Sequence, residues 1–326
     1  MTINWGIIGT GVIANTFANE FNQVSEGNLL AVASRLKENA EQFAAANGIK
    51  RAYEGYESIV KDENIDIIYI ATPHSVHFEN TMLCLENNKS VLCEKPLGVN
   101  EKQEKQMFAK AKEKNLFLME AMWTYFLPAI QKAKEWIQAG KIGEIQVITA
   151  QVGILPIPPR NKKGRLFNPD LAGGALLDTG IYPIALANLL LKDDPVQSKI
   201  TTQFTKTGVD EHNAISLQYK SEAIAQLTCT IQAPIETDAY IYGTKGKIHL
   251  PAFLRTDKAI LENDKEKETF KDLRTSLGYT YEIKAVNSYL KNNKKQSNIV
   301  PPEKSLKNIR VIDTLRKEMG LQYPFE

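Results

Sequence analysis

Short apolar runs alternate with amphipathic stretches through the first third of the chain. Runs of this kind predict strands that are buried on both faces of a sheet. They occupy Ile3–Ile8, Leu29–Ser34, Ile65–Ala71, Ser90–Cys93 and Leu116–Glu120. Stretches with helical spacing separate them, including Val12–Val24, Lys37–Asn47 and Asn100–Asn115. Continuous apolar strands that alternate with helices predict an α/β domain, a doubly wound parallel sheet, over residues 1–122.

The pattern changes from residue 123 onward. Pro128 begins a helix, and strand-like segments separated by short turns then dominate, which predicts an antiparallel sheet in an α+β domain over residues 123–326. The segments are 145–153, 199–206, 214–219, 223–231, 238–242 and 247–250. The apolar segment Gly173–Leu191 has helical character, and the charged stretch Asn263–Arg274 predicts a solvated hairpin or loop. A helix over about Glu303–Met319 closes the chain, and we expect it to pack back on the N-terminal domain.

Length and charge narrow the classes of function. The chain has 326 residues, which leaves room for roughly two domains of about 150 residues each. Its 40 Lys and Arg residues nearly balance 38 Asp and Glu residues, which argues against binding to nucleic acid chiefly through phosphates. Cys84, Cys93 and Cys229 fit neither a disulfide framework nor a metal cluster, and no apolar run approaches the ~18 residues that span a bilayer. We therefore expect a cytoplasmic protein with no metal, no nucleic-acid partner and no membrane segment.

A glycine-rich turn follows the first predicted strand. Gly9-Thr10-Gly11-Val12-Ile13-Ala14 fits the pattern G-x-G-x-x-A, in which the glycines let a pyrophosphate approach backbone N–H groups at a helix N-terminus. The pattern alone is weak, and a purely structural turn is the alternative. Because it lies between the first strand and first helix of a doubly wound pattern, it favours dinucleotide binding.

The end of the second predicted strand bears on the choice between NADP and NAD. An NAD site normally has a carboxylate there to hold the ribose 2′-hydroxyl. This chain has Ser34-Arg35-Leu36-Lys37, with no acidic residue before Glu38. An arginine can pair with a 2′-phosphate, and a serine hydroxyl can donate to it. The sequence therefore favours NADP, with NAD as the alternative if Arg35 and Lys37 only begin an exposed helix.

Two further segments carry candidate chemistry. Glu94-Lys95-Pro96 ends the fourth predicted strand at the carboxyl edge of the sheet, where ligands bind in open α/β folds. Asp178 and Tyr182 are four residues apart at the start of an apolar helical segment, so one helical turn would place both on one face. The alternative is that Asp178 is only an N-cap and Tyr182 only a core aromatic residue.

Six segments together carry a resemblance to a known family. They are GTGVIA, ATPHSVH, CEKP, EAMWTYFLPAI, GGALLDTGIYP and the closing MGLQYP. The chain resembles the Gfo/Idh/MocA oxidoreductases nearly end to end, and within them the branch of dimeric dihydrodiol dehydrogenases and D-xylose 1-dehydrogenases. The resemblance implies a dinucleotide-binding Rossmann domain over 1–122. It also implies a domain over 123–326 for substrate binding and oligomerisation, built on a large open, mostly antiparallel sheet through whose exposed face family members pair.

The resemblance also implies roles for individual residues. Lys95 matches the family's catalytic lysine, and Asp178 matches the aspartate that helps to orient the substrate. Many members have histidine four residues after that aspartate, whereas Tyr182 matches the branch in which tyrosine is the acid–base residue. The residues implied to border the nicotinamide ribose are Thr72, Pro73, His77 and Glu94. Those implied, less specifically, to line the substrate pocket are Trp123 and Arg165.

These observations predict an NADP-dependent oxidoreductase that transfers hydride between the cofactor and a sugar or cyclic diol. The candidates are an aldose such as D-xylose, oxidised at C1, and a trans-dihydrodiol. Tyr182 would exchange the hydroxyl proton, and the ammonium of Lys95 would lower its pKa. Another polyol or a keto-sugar is the alternative substrate. A redox-silent regulator that senses a sugar or dinucleotide is the alternative of a different class, and the presence of both Lys95 and Tyr182 counts against it.

Overall fold

The residues of the chain divide into two structural units. The computed structural model describes residues 2–155 and 163–326. One unit comprises Met1–Trp123 and Ser276–Ser305, and the other comprises Thr124–Thr275 and Leu306–Glu326. Each unit contains one β-sheet.

Helices occur in both units. Among the described residues the α-helices are α1 (Val12–Phe21), α2 (Lys37–Asn47), α3 (Tyr56–Val60), α4 (His77–Glu86), α5 (Glu101–Glu113), α6 (Pro128–Gln138), α7 (Ile181–Leu190), α8 (Tyr279–Lys291) and α9 (Pro302–Met319). The last of them has its first residues, up to Ser305, in the first unit, and its residues from Leu306 onward group with the second unit. The segment expected to pack back on the N-terminal domain therefore groups mostly with the second unit.

The first unit is built on a six-stranded parallel sheet. Its strands are β1 (Ile3–Ile8), β2 (Gly27–Ser34), β3 (Arg51–Glu54), β4 (Ile67–Ile70), β5 (Ser90–Glu94) and β6 (Leu118–Ala121). Their order is β3-β2-β1-β4-β5-β6, which reverses between β1 and β4. In a doubly wound sheet this reversal opens a crevice at the carboxyl ends of the strands, where ligands bind. The predicted doubly wound parallel sheet is confirmed.

Strand β3 and helices α3 and α8 of this unit were not predicted. Strand β3 is a four-residue edge strand with Arg51 and Glu54 at its ends, so it has no apolar run to mark it. Helix α8 packs on the Rossmann sheet: the indole Nε1 of Trp5 donates to Asn287 Oδ1 at 2.9 Å, and the ring of Tyr289 stacks on Phe117. Residues 276–305 therefore group with the first unit, whereas the sequence analysis placed all of 123–326 in the second domain.

The second unit is built on an eight-stranded sheet. Its strands are β7 (Ile145–Gly153), β8 (Pro195–Phe204), β9 (Asp210–Tyr219), β10 (Ile224–Thr230), β11 (Ala239–Gly243), β12 (Gly246–Leu250), β13 (Lys258–Asn263) and β14 (Lys267–Lys271). Their order is β14-β13-β12-β11-β7-β10-β9-β8, with β7 and β10 parallel and the other neighbours antiparallel. The predicted, mostly antiparallel sheet is confirmed, and the charged stretch 263–274 supplies its edge strand β14.

The apolar segment before β8 lies in the core of the second unit. Pro169–Leu190 is helical, and by length and composition alone it could cross a membrane. However, 94% of its most apolar 18-residue stretch is buried inside the protein. The segment begins with a short 3₁₀ turn, continues as a π-helical turn over Leu176–Gly180 and ends as α7. Burial of this kind is typical of a core helix, and the segment carries Asp178 and Tyr182.

Candidate active site

The glycine turn after β1 lies against the end of β4. Gly9 has φ +106°, and a Cβ there would lie 2.6 Å from the carbonyl oxygen of Ala71, so only glycine fits. Gly11 is the N-cap of α1, a Cβ on it would meet nothing within 4 Å, and no side chain among the described residues caps the helix. Thr10 and Ile13 are half-buried, whereas Val12 is exposed. The N-terminus of α1 is therefore uncapped and has open space beside Gly11, an arrangement that fits the pyrophosphate of a dinucleotide.

The end of β2 presents a cation beside the same crevice. Ser34 is buried and its carbonyl oxygen accepts from Gly55 N at 2.9 Å, whereas Arg35 is exposed. Lys37 pairs with Glu41 at 3.8 Å, one turn further along α2. Of the two basic residues singled out by the sequence, Arg35 is the one at the strand end, and the positive charge of its guanidinium lowers the pKa of Tyr56, although burial raises that pKa more strongly.

The loops after β4 and β5 are joined by one imidazole. His77 is fully buried, its Nε2 lies 2.9 Å from the carbonyl oxygen of Thr72, and its Nδ1 lies 2.7 Å from that of Pro96. Asn80 donates to the Thr72 hydroxyl at 3.1 Å, while Pro73 is half-buried. Burial lowers the pKa of His77, and the charge of Lys95 acts in the same direction. The structure thus brings together the predicted residues Thr72, His77 and Lys95.

Buried side chains hold the peptide groups that follow Lys95. Leu97 N donates to Glu120 Oε1 at 3.2 Å, and Gly98 N donates to Glu104 Oε1 at 3.3 Å. Lys95 N donates to Glu94 Oε2 at 3.3 Å, and Lys95 itself is only 7% exposed. A lysine on a loop so fully bonded to the core has a fixed position at the carboxyl end of β5. This geometry distinguishes Lys95 from an ordinary surface lysine.

The surroundings of Lys95 in the first unit are acidic. The hydroxyl of Tyr69 donates to Glu94 Oε1 at 2.5 Å, and burial raises the pKa of Tyr69. Burial likewise raises the pKa of Glu120, although the charge of Lys95 opposes that effect. Glu282 on α8 is also fully buried, and burial together with Glu94 and Glu120 raises its pKa. Within residues 2–155 and 163–326, no group of three or more His, Cys, Asp or Glu side chains is arranged to hold a metal ion.

In the second unit, the candidate residues lie on the π-helical turn and the helix that follows it. Arg165 Nη1 lies 2.6 Å from Asp178 Oδ1, with the arginine side chain 55% exposed and the aspartate side chain 10%. Tyr182, at the second position of α7, is half-buried, and Pro183 lies in the first turn of that helix. π-Helical turns are often found at functional sites. The structure therefore joins Asp178 to the predicted pocket residue Arg165, while the other predicted pocket residue, Trp123, belongs to the first unit and stacks on Tyr279 at 4.6 Å.

Comparison with known proteins assigns the chain to a family. Residues 3–122 match the oxidoreductase family with an NAD-binding Rossmann fold, and residues 130–249 match the GFO/IDH/MocA C-terminal domain. The chain belongs to the Gfo/Idh/MocA oxidoreductases. It is therefore an oxidoreductase with an NAD(P)-binding Rossmann domain, as the sequence predicted.

Individual Gfo/Idh/MocA relatives match this chain over almost its whole length. The trans-1,2-dihydrobenzene-1,2-diol dehydrogenase of Xenopus laevis is 34% identical over 99% of this chain and 100% of its own, and that of Homo sapiens is 33% identical over 99% of both. A 3-ketoreductase from Actinomadura kijaniata, solved with NADP and TDP-benzene, superposes with a TM-score of 0.87 at 25% identity over 98% of both chains. A levoglucosan dehydrogenase, solved with NADH and levoglucosan, shares the fold, with a TM-score of 0.88 at 20% identity over 99% of this chain and 100% of its own.

Sequence reasoning missed several polar residues that this Gfo/Idh/MocA protein buries around its candidate site. They are Tyr69, Asn80, Glu104, Glu120 and Glu282. Two of them carried a signal, because Tyr69 and Glu120 stand inside or at the end of otherwise apolar strand runs. A polar side chain in such a run must find a partner in the core. Glu282 lies on the unpredicted helix α8 and carried no signal.

Proposed function

We propose that this enzyme uses NADP to oxidise a carbon that bears a hydroxyl group in a sugar or cyclic diol. The candidate substrates are an aldose such as D-xylose, oxidised at C1, and a trans-dihydrodiol. The similarity to dihydrodiol dehydrogenases along the whole chain supports this substrate class. The structural observation that carries the proposal is the burial of Lys95 at the carboxyl end of β5, on a loop whose peptide groups bond to buried side chains.

The preference for NADP rests on the end of β2. Arg35 is exposed there, and the segment from Ser34 to Lys37 has no carboxylate that could accept from a ribose 2′-hydroxyl. A guanidinium can make paired, charge-assisted hydrogen bonds to a phosphate. We therefore assign Arg35 and Ser34 to the 2′-phosphate, and the amides of the turn from Gly9 to Ile13 to the pyrophosphate.

The proton transfer is assigned to Tyr182. A tyrosine with the ordinary pKa of about 10 is a poor base at neutral pH. The ammonium of Lys95 would lower the pKa of Tyr182 by favouring the phenolate, so that Tyr182 can take the proton of the substrate hydroxyl. When bound, NADP supplies the nicotinamide ring that exchanges hydride with the substrate carbon.

Two further groups are assigned to positioning. Asp178 would hold a neighbouring hydroxyl of the substrate, and its ion pair with Arg165 fixes the direction of its carboxylate. Thr72, Pro73, His77 and Glu94 would border the nicotinamide ribose. Holding the substrate in the reactive orientation can supply several kcal/mol of the barrier reduction.

A keto-sugar reduced in the opposite direction is a second candidate. The observation that favours it is the likeness to the 3-ketoreductase solved with NADP. The same acid–base tyrosine serves both directions, since the group that removes a proton in oxidation returns it in reduction.

A substrate screen tests the proposal. The enzyme is mixed with NADP+ or NAD+ and a panel of aldoses, inositols and trans-dihydrodiols, and with NADPH and keto-sugars, while the near-ultraviolet absorbance of the reduced nicotinamide is followed. We expect steady turnover with at least one aldose or dihydrodiol and a preference for NADP+. Turnover with inositols alone, or with none of these compounds in either direction, would contradict the proposal.

We also propose that the chain forms a homo-oligomer through the open face of the eight-stranded sheet. Along β10 the side chains of Gln226 and Thr228 are exposed while Ala225 and Leu227 are buried, so one sheet face packs on the core and the other faces outward. Sedimentation should therefore show a dimer or larger species, and Gln226→Arg should shift it towards monomer because it places a charge on that face. A wild-type monomer at micromolar concentration would contradict this proposal.

A further inference from the structure

The segment that carries Asp178 and Tyr182 is fastened at its beginning by a side chain from a distant strand. Leu176 N, in the π-helical turn, donates to Asp210 Oδ2 at 2.7 Å. Asp210 is the first residue of β9 and is fully buried, and Asn213 Nδ2 donates to the same oxygen at 2.6 Å. A carboxylate at the N-terminus of a helical segment satisfies a backbone donor and interacts favourably with the helix dipole.

The fit between Asp210 and the glycine turn that precedes Leu176 is close. Gly174 has φ +118°, and a Cβ on it would lie only 2.1 Å from Asp210 Oδ1. Any other residue at this position would push the carboxylate away from the helix. Burial raises the pKa of Asp210, and the hydrogen bonds from Asn213 and Leu176 oppose that effect.

Residues near the C-terminus contact Gly173, the glycine that precedes Gly174 in this turn. The hydroxyl of Tyr323 donates to the carbonyl oxygen of Gly173 at 2.8 Å, and Tyr323 is only 1% exposed. The guanidinium of Arg316 lies 4.5 Å from the centre of the Tyr323 ring and pairs with Glu326. The chain after α9 is thereby folded back, so that the MGLQYP motif contacts the turn before Asp178.

The far side of the π-helical turn is fixed as well. A Cβ on Gly180 would lie 2.8 Å from Cys229 Sγ on β10, so the turn lies directly on the sheet. Asn213 Nδ2, which holds Asp210, also lies 3.4 Å from Cys229 Sγ. The segment from Gly173 to Gly180 is therefore held at both ends by buried groups of β9, β10 and the C-terminal tail.

We infer that Asp210 and Tyr323 are positioning residues for the reaction, acting through the segment that bears Asp178 and Tyr182. The inference rests on the proposed function, because it presumes that Asp178 and Tyr182 are the groups whose placement matters. Loss of either contact frees the glycine turn, and a shift of about 1 Å in reacting groups can cost roughly a hundredfold in rate.

Asp210→Asn tests the carboxylate with little change in volume. We expect kcat to fall roughly tenfold to a hundredfold, as for a misplaced reacting group, with the Kd of NADP+ unchanged. The matched control is Asp272→Asn, which alters another nearly buried carboxylate of the second unit, paired with Arg274 at 2.5 Å. The control should lower thermal stability without lowering kcat. An equal fall in kcat in both variants, or none in Asp210→Asn, would overturn the inference.

Tyr323→Phe is a milder variant, which removes only one hydroxyl and should fold even if Asp210→Asn does not. Its control is Tyr219→Phe, which also removes a buried hydroxyl, one that donates at 2.9 Å to Asn188 in the last turns of α7. We expect kcat to fall severalfold in Tyr323→Phe and to stay unchanged in Tyr219→Phe. The opposite ranking, or the same kcat in both, would contradict the inference.

Hydrogen exchange separates this inference from the proposed function. The amides of 174–182 should exchange faster in Asp210→Asn and in Tyr323→Phe than in their controls, whatever the reaction is. In addition, Asp210→Asn should lower turnover much less in a Tyr182→Phe background than in the wild type, because it acts through that side chain. If Tyr182→Phe alone leaves turnover intact, the proposed function fails. If exchange over 174–182 is unchanged, the positioning inference fails by itself.

Discussion

The buried imidazole of His77 lies 2.7 Å, through Nδ1, from the carbonyl oxygen of Pro96, one residue after Lys95. Because its Nε2 lies 2.9 Å from the carbonyl oxygen of Thr72, one ring joins the loops after β4 and β5. Burial lowers the pKa of this ring, while its hydrogen bonds with the two carbonyl oxygens act in the opposite direction. Leu97 N donates to Glu120 and Lys95 N donates to Glu94, and together with the His77 contacts these hydrogen bonds fix the loop that carries Lys95.

Lys95→Met tests whether this fixed cation acts on the proton-transfer group. We expect kcat for oxidation to fall roughly a hundredfold to a thousandfold, comparable to the loss of one preorganised electrostatic contact. The pH at which the rate rises should move upward, because without the ammonium the pKa of Tyr182 returns towards its ordinary value of about 10. The pH–rate profile measures this shift. Lys102→Met, an exposed lysine of α5, is the control, and an unshifted profile in Lys95→Met would contradict the assigned role.

Tyr182→Phe tests the proton-transfer group itself. Removing the phenol hydroxyl should lower kcat by roughly a hundredfold to ten-thousandfold, the usual contribution of a general acid–base residue. NADP+ should still bind with the same Kd, because the residues assigned to the cofactor lie in the first unit. Stopped-flow kinetics and quenching of tryptophan fluorescence measure the two effects. Near-normal turnover would remove Tyr182 from the mechanism.

Arg35→Ala tests the assignment of the 2′-phosphate. Loss of a charge-assisted hydrogen bond costs about 1.5–3 kcal/mol, so the Kd of NADP+ should rise roughly tenfold to a hundredfold while that of NAD+ changes little. Lys37→Ala is the matched control, because Lys37 is basic and exposed like Arg35 but pairs with Glu41 on its own helix. Titration calorimetry with both cofactors gives the comparison. An equal loss for NADP+ and NAD+ would mean that Arg35 does not contact the 2′-phosphate.

The parts of the fold that the sequence predicted are those with strong local periodicity. The apolar runs of β1, β4 and β5 predicted buried parallel strands, whereas the sequence pattern predicted neither β3 nor α8. Strand β3 has only four residues, too few to show a recognisable pattern of apolar positions. Helix α8 is held in the first unit by contacts such as that between Trp5 and Asn287, which lie 282 residues apart in the chain. No periodicity within a window of ten or twenty residues can report such a contact.

The candidate site shows the same difference between features with a local sequence signal and features placed by distant contacts. The glycine turn, the Lys95 loop and the Asp178–Tyr182 segment could be found because each is one short stretch with its own chemistry. The contacts of Asp210 and Tyr323 with that segment could not be found, although Tyr323 lies in the closing MGLQYP motif, because they join positions 34 and 150 residues apart in the chain. Motifs thus identify the groups that are assigned to contact ligands, while the groups that hold them emerge only from packing.

Glu282→Gln should make the protein more stable, increasingly so as the pH rises. Glu282 is fully buried, neither of its carboxyl oxygens has a partner among the described residues, and burial raises its pKa well above the usual range. The folded state therefore keeps the proton to a higher pH than the unfolded state, so stability is lost as the pH rises from about 4 towards the raised pKa, by about 1.4 kcal/mol for each unit of the shift. A glutamine of similar size carries no titrating proton, so the variant does not lose this stability as the pH rises. Thermal unfolding from about pH 5 to about pH 8 should show a difference in Tm between variant and wild type that grows with pH, while the exposed control Glu63→Gln shows none. A difference that stays constant with pH would mean that Glu282 titrates alike in both states.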